Sequence, residues 1–299
     1  MALLVANGSR RATTVAAQPR SATLRRRLGM ELRRLREAAG LTIEQAGAAI
    51  YGSDSKISRL ENGRGALKPL EIQALLVTYA APAEQRDRLL RMMEEADQPE
   101  PWAGYDVPAG LETLLGLEAD AERLDVFSSS IVYGLLQTED YARATIREGR
   151  FADEDPSAAD NLVALRLHRQ RLLFGNPEAP ELTSVIDEAA LRRLVGGTDT
   201  MRAQVSHLLD MADRAKVTVQ VLPFSAGAHA AQTGSFLRLS FPGGEDPDLV
   251  YCDGAAGNQY VKKAASVQRF AVTFDRLRRQ SLSPADTRKF LDQLRKEYR

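Results

Sequence analysis

The sequence predicts two units of different class: an all-α domain of five short helices, then an α+β domain with one sheet flanked by helices. Three observations carry this. Five apolar-periodic segments, most of them marked by capping or breaker residues, crowd into residues 24–96. The stretch 97–110, with three prolines and two glycines, then breaks the pattern. Beyond it helical periodicity alternates with short β-rich runs, the plainest being Val217-Thr-Val-Gln-Val-Leu222 with valines at alternate positions.

Residues 1 to about 20 mix Gly, Ser, Thr, Pro and Arg without sustained periodicity, so 1–22 reads as a disordered basic tail. From Leu24 onward, Leu28, Leu32 and Leu35 fall at helical spacing among Arg25, Arg26, Arg27, Arg33, Arg34 and Arg36, and Gly40 closes this basic amphipathic helix. Thr42 caps a second helix reaching Ile50, with Glu44 and Gln45 in its first turn. Tyr51-Gly52 is a tight connection to Ser53, the cap of a third helix over 54–61 that stops at Asn62-Gly63. Helices over 69–79 and 83–96 complete an all-α five-helix helix-turn-helix domain spanning 23–97, with 98–110 as linker.

The domain over 111–299 is predicted as helix 111–124, strand 126–132, helix 138–147 capped by Thr138, and helix 156–174 stopped by Gly175-Asn-Pro. Strand 182–186 and helices near 188–195 and 200–214 follow, then strands 217–222, 235–241 and 249–252. Helices 264–279 and 284–298 close the chain, the last opened by Ser283, Pro284 and Asp286 as an acidic stand-in for the capping-box partner.

Composition narrows the function classes. With 44% apolar and 27% charged residues the chain is ordinary for a globular protein. The single cysteine, Cys252, excludes a disulfide framework within the chain and a Cys-clustered zinc site, and histidines at 168, 207 and 229 are too scattered to suggest another; neither metal nor cofactor is expected. The apolar opening, residues 2–6, is too short for a signal peptide, and no run reaches the roughly 18 apolar residues of a membrane span. The expected location is the cytoplasm, away from membranes. Formal charge is zero overall, yet residues 1–70 hold 13 Lys or Arg against 5 Asp or Glu, a net of +8 set against −8 in the remainder. Such polarity suggests that the basic part meets a polyanion.

The stretch 41–63 carries the most specific signal. Two short capped helices joined by a tight turn let the second enter the DNA major groove while the first crosses the backbone. Ala46 and Gly47 allow close helix approach, and Ile50, Ile57 and Leu60 supply apolar anchors. With Ile57 and Leu60 buried, Asp54, Ser55, Lys56, Ser58 and Arg59 are left toward solvent. The run Ile57-Ser58-Arg59-Leu60-Glu61-Asn62-Gly63 resembles the end of the Xre-type helix-turn-helix of the lambda-repressor and Cro kind, over residues 28–80. That resemblance implies base reading by Asp54, Ser55 and Arg59, with Arg59 able to grip guanine O6 and N7. It implies phosphate contact by Ser53, Lys56, Ser58, Asn62 and Arg64, and a pairing of Arg36 with Glu61. This chain has Ile43 where the family often has Gln.

Four motifs in the second domain, Gly134–Arg143 in sequence, Arg166-Leu-His-Arg-Gln-Arg-Leu-Leu173, Ile186-Asp-Glu-Ala-Ala-Leu-Arg192 and Val219–His229 followed by Gly234-Ser-Phe, resemble the C-terminal domain of actinobacterial Xre regulators, a domain of unknown function also called antitoxin-like. Cys252-Asp253-Gly254 departs from it, the group commonly having a hydrophobic residue and then Glu after the tyrosine. The resemblance implies regulation with a small partner protein encoded by a neighbouring gene. The chain is thus expected to be a sequence-specific regulator of a double-stranded DNA operator, acting as a homodimer, because one helix-turn-helix covers few base pairs and two copies must sit roughly 34 Å apart. The domain over 111–299 is expected to serve dimerisation, regulation and partner binding. An antitoxin-like factor with autoregulatory DNA binding, or an enzyme carrying a DNA-targeting module, are the alternatives.

The enzyme alternative rests on Asp187, Glu188 and His229, which end or follow predicted strands and could form an acid–base site, or a ligand or partner loop, if the fold joins them. No Walker loop, nucleotide-binding glycine pattern, nucleophile elbow or zinc-protease pair occurs, and no enzymatic activity is expected.

Overall fold

The computed structural model describes residues 20–62, 68–97, 101–108, 111–149, 156–176, 179–232, 234–242, 247–254 and 257–298. The chain forms two compact units that divide in sequence between Ala103 and Gly104.

The first unit is helical: α1 (Arg20–Ala38), α2 (Ile43–Ala49), α3 (Asp54–Glu61), α4 (Pro69–Thr78) and α5 (Ala83–Asp97). Helix α1 starts at Arg20, before the Leu24 that apolar spacing marks, and ends ahead of Gly40, whose φ of 70° is the left-handed cap conformation. The rest of the expected tail, residues 1–19, lies outside the described residues. Leu28, Leu32, Ala46, Ile57, Leu60, Ile72, Leu75, Leu76 and Leu89 form one buried core to which all five helices contribute.

The second unit is an α+β domain with one six-stranded sheet in the order β3-β2-β1-β4-β5-β6. Strands β1 (Arg123–Ser128), β2 (Glu181–Asp187) and β3 (Val217–Leu222) run parallel, and β4 (Phe236–Ser240), β5 (Leu249–Cys252) and β6 (Gln259–Val261) continue antiparallel from β1. Helices α6 (Leu111–Asp120), α7 (Glu139–Glu148), α8 (Pro156–Phe174), α9 (Glu188–Arg192), α10 (Thr198–Ala212), α11 (Ala264–Gln280) and α12 (Pro284–Glu297) complete it. Phe274 and Leu277 of α11 pack on Phe127, Val185, Phe236 and Val250. Helix α12 closes the β3 edge: Val221 N donates to Thr287 Oγ1 at 3.0 Å, and Leu282 N donates to Val221 O at 2.8 Å, so these edge groups do not need a further strand.

Several boundaries differ from the sequence reading. The first helix of this unit stops at Asp120 rather than 124, and its strand covers Arg123–Ser128 rather than 126–132. Leu124 pairs with Leu182 and Leu239, and β1 is buried on both faces from Leu124 to Ser128; no glycine or proline separates its start from the preceding helix, and its acidic residue, Asp125, is buried by accepting from Arg238 Nη1 at 2.8 Å. Strand β6 has three residues, too few to show a period. Helix α9 ends at Arg192, three residues early.

Buried polar pairs join the motif segments of this unit. Arg166 Nη1 of α8 donates to Gln137 Oε1 at 2.5 Å, and Gln170 Nε2 donates to Gly134 O and Gln137 O at 2.9 and 2.8 Å. Arg169 Nη2 and Tyr133 Oη both donate to Glu118. Burial, with the Arg169 charge beside it, lowers Arg166 to about 9.

Candidate nucleic-acid interface

The site is assembled from α1, α2 and α3. Thr42 and Gln45 form a reciprocal capping box: Gln45 N donates to Thr42 Oγ1 at 3.1 Å, and Thr42 N donates to Gln45 Oε1 at 2.8 Å. The connection to α3 is tight because Gly52 N donates to Gly47 O at 2.8 Å and a side chain on Gly47 would stand 3.2 Å from Gly52 O. Tyr51, in the left-handed conformation at φ 51°, is fully exposed at the tip of this turn, a candidate contact that the sequence reading did not single out.

Helix α3 buries Ile57, Leu60 and Glu61. Of the residues assigned to base reading, Asp54, Ser55 and Arg59 are all exposed. Two of the five side chains expected toward solvent are not free there. Ser58 is half-buried, and its carbonyl accepts Asn62 Nδ2 at 2.7 Å. Lys56 is half-buried because its Nζ meets Glu71 Oε1 of α4 at 2.6 Å, with Lys68 Nζ 3.7 Å from the same oxygen. Ser53 holds the N-cap backbone position in extended conformation, but its hydroxyl shares a 2.9 Å hydrogen bond with Ser55 instead of capping the helix. Asn62 is exposed, and Arg64 lies outside the described residues.

Helix α1 fixes the orientation of α3 in two ways that differ in legibility. Arg36 Nε and Nη2 donate to the two oxygens of Glu61 at 2.6 and 3.0 Å, with both side chains buried. Gly29, which the sequence reading passed over, lets α1 cross the end of α3: a Cβ there would stand 2.5 Å from Leu60 O. A glycine inside a helical pattern was the available signal. Other arginines of α1 have acidic partners within the unit: Arg25 Nη2 lies 3.2 Å from Asp97, and Arg33 Nε 2.8 Å from Glu37. The hydrogen bond to Glu37 raises Arg33 above its usual value and lowers Glu37.

In the second unit the fold brings Asp187 and His229 together and engages Glu188 nearby. Asp187 caps α9, its Oδ1 accepting Ala189 N at 2.8 Å, and its Oδ2 lies 3.6 Å from His229 Nε2. His229 Nδ1 accepts Ala231 N at 3.3 Å, and its ring stands edge-on to Phe127, 5.4 Å between centroids. Glu188 accepts Phe224 N at 2.8 Å and Arg192 Nε at 2.6 Å. These bonds fasten the loop after β3 to the start of α9. Among the described residues no group of three or more His, Cys, Asp or Glu could hold a metal ion, and no helix is long and apolar enough to cross a membrane.

Residues 111–293 match the family described as "Domain of unknown function (DUF5753)", and residues 27–89 match "Helix-turn-helix domain". No match was found among curated proteins or among solved structures.

Proposed function

Because the chain belongs to the DUF5753 family and carries a helix-turn-helix domain ahead of it, we propose that it is a sequence-specific DNA-binding transcriptional regulator of the Xre type. The observation that carries this reading is the two-sided character of α3. Ile57, Leu60 and Glu61 lock one side, while Asp54, Ser55 and Arg59 stand exposed on the other, a polar face of groove size on a fixed rod. Residues 23–97 are the DNA-binding part, 98–110 the linker and 111–299 the regulatory part. In this reading Arg59 reads a guanine edge, while Ser53, Lys56, Ser58, Asn62 and Arg64 meet phosphate. Lys56 does so only by leaving Glu71. The basic excess of residues 1–70 supplies the sequence-independent attraction.

The second domain holds two copies at adjacent half-sites and answers to a small partner protein or ligand, as in antitoxin-like regulators. Asp187, Glu188 and His229 are assigned to bracing the loop after β3 rather than to catalysis, since each has a structural bond of its own.

Sequencing genomic fragments retained by the purified chain tests the reading: one enriched motif with two half-sites about one helical turn apart is the expected result. Arg59→Ala should blur that motif at one position and weaken specific binding by roughly 1–3 kcal/mol. Equal loss on specific and random duplexes would remove Arg59 from base reading.

A further inference from the structure

A cavity of about 330 Å³ lies in the second unit between the C-terminal turn of α8 and the last turns of α10. Its apolar lining comes from Leu135, Phe174 and Met211. Its floor is held in place by Gln170, whose amide is spent on the carbonyls of Gly134 and Gln137. Three further polar side chains line it, two of them solvent-exposed arginines. Arg171 is exposed at the rim and has no ion pair among the described residues. Arg214 stacks on Phe174, 5.4 Å from the ring centroid, and donates to Phe174 O at 3.3 Å, again with no carboxylate partner among the described residues. His207, which lines the same cavity, has its Nε2 buried without a hydrogen-bond partner.

Two guanidinium groups without carboxylates, set beside apolar walls, match an anion attached to an apolar body better than they match a bare ion or a neutral apolar molecule. We propose that this cavity binds a small organic acid. Its carboxylate lies between Arg171 and Arg214, and its apolar body against Leu135, Phe174 and Met211. The volume sits at the lower end of the small-molecule range, which limits the occupant to a compact acid.

Calorimetric titration of the full chain with phenylacetate, 4-hydroxyphenylacetate, phenylacetamide and inorganic phosphate tests this. Both acids should bind at one site per chain, and the amide and phosphate at least roughly tenfold more weakly. Arg171→Ala changes an exposed side chain and should leave the circular-dichroism spectrum intact while weakening both acids by roughly tenfold or more. The proposal is overturned if neither acid binds at roughly 10 mM, if the amide or phosphate binds as tightly as the acids, or if folded Arg171→Ala binds them unchanged. None of these readouts involves DNA.

Discussion

Arg36 and Glu61, on α1 and at the last residue of α3, form a two-bonded ion pair with side chains only 8% and 6% exposed. A third donor of the same guanidinium, Nη1, reaches Leu41 O at 2.9 Å, so one side chain ties α1 to the segment before α2 and to the end of α3. The bond to Glu61 raises Arg36 further, and burial, with the Glu61 charge beside it, pushes Tyr79 up to about 12. Removing one partner strands the other charge. Glu61→Gln or Arg36→Met should each destabilise by about 3–5 kcal/mol in urea unfolding, and the double variant by clearly less than their sum. Strict additivity would mean that the pair is not coupled.

Gly29→Ala should run against the usual gain of helix propensity. Alanine at a helix interior is ordinarily favoured over glycine by about 1 kcal/mol. Here the added methyl meets the backbone oxygens of Leu60 and Glu61 at 2.5 and 2.7 Å, and backbone cannot rotate away as a side chain can. The unfolding midpoint should fall by an amount corresponding to at least about 1 kcal/mol. A rise in the midpoint would show that α1 and α3 slide apart freely.

Glu71 holds Lys56 in an ion pair that the proposed phosphate contact would have to break. Glu71→Gln should strengthen binding to every duplex with little change in the dependence of log affinity on log salt, whereas Lys56→Ala should flatten that dependence by about one unit. Salt titrations on specific and random DNA report both. An unaltered slope in Lys56→Ala would take Lys56 out of the phosphate contacts.

His207 sets an acid limit on the second unit. Burial, partly opposed by the Asp210 charge and reinforced by Arg214, lowers its proton affinity below the ordinary value of 6.5. The unfolded chain therefore binds the extra proton first, and stability contributed by the neutral ring is complete above about pH 6.5 and is lost as pH falls toward the depressed value. His207→Gln should flatten the fall of melting temperature between about pH 7 and 5 relative to the parent protein. Parallel curves would show that His207 does not contribute to it.

The order of elements was legible wherever local signals agreed. Thr42 with Gln45, Thr138 ahead of α7, and Ser283 ahead of α12 cap their helices in the structure, with Thr42, Thr138 and Ser283 accepting the expected backbone N–H groups. The valines of 217–222 mark β3 to the residue. The start of β1 was not legible, because no glycine or proline separates it from α6 and the partner that lets Asp125 be buried, Arg238, lies on a strand distant in sequence. Within the candidate site the side chains of Asp54, Ser55 and Arg59 could be assigned to solvent from helical spacing alone. Spacing said nothing of α4, and so nothing of the carboxylate that draws Lys56 back.

What the amino-acid sequence determined by itself is therefore local: caps, periods, the tight Tyr51-Gly52 turn, and the concentration of positive charge before residue 70. Tertiary structure alone decided the rest. It set Gly29 against Leu60, Lys56 against Glu71, and Asp187 beside His229, and it gathered Arg171, His207 and Arg214 around one cavity. The physical reason is range. A cap or a turn is settled by bonds within a few residues, whereas a charge's partner depends on which distant helix or strand packs beside it.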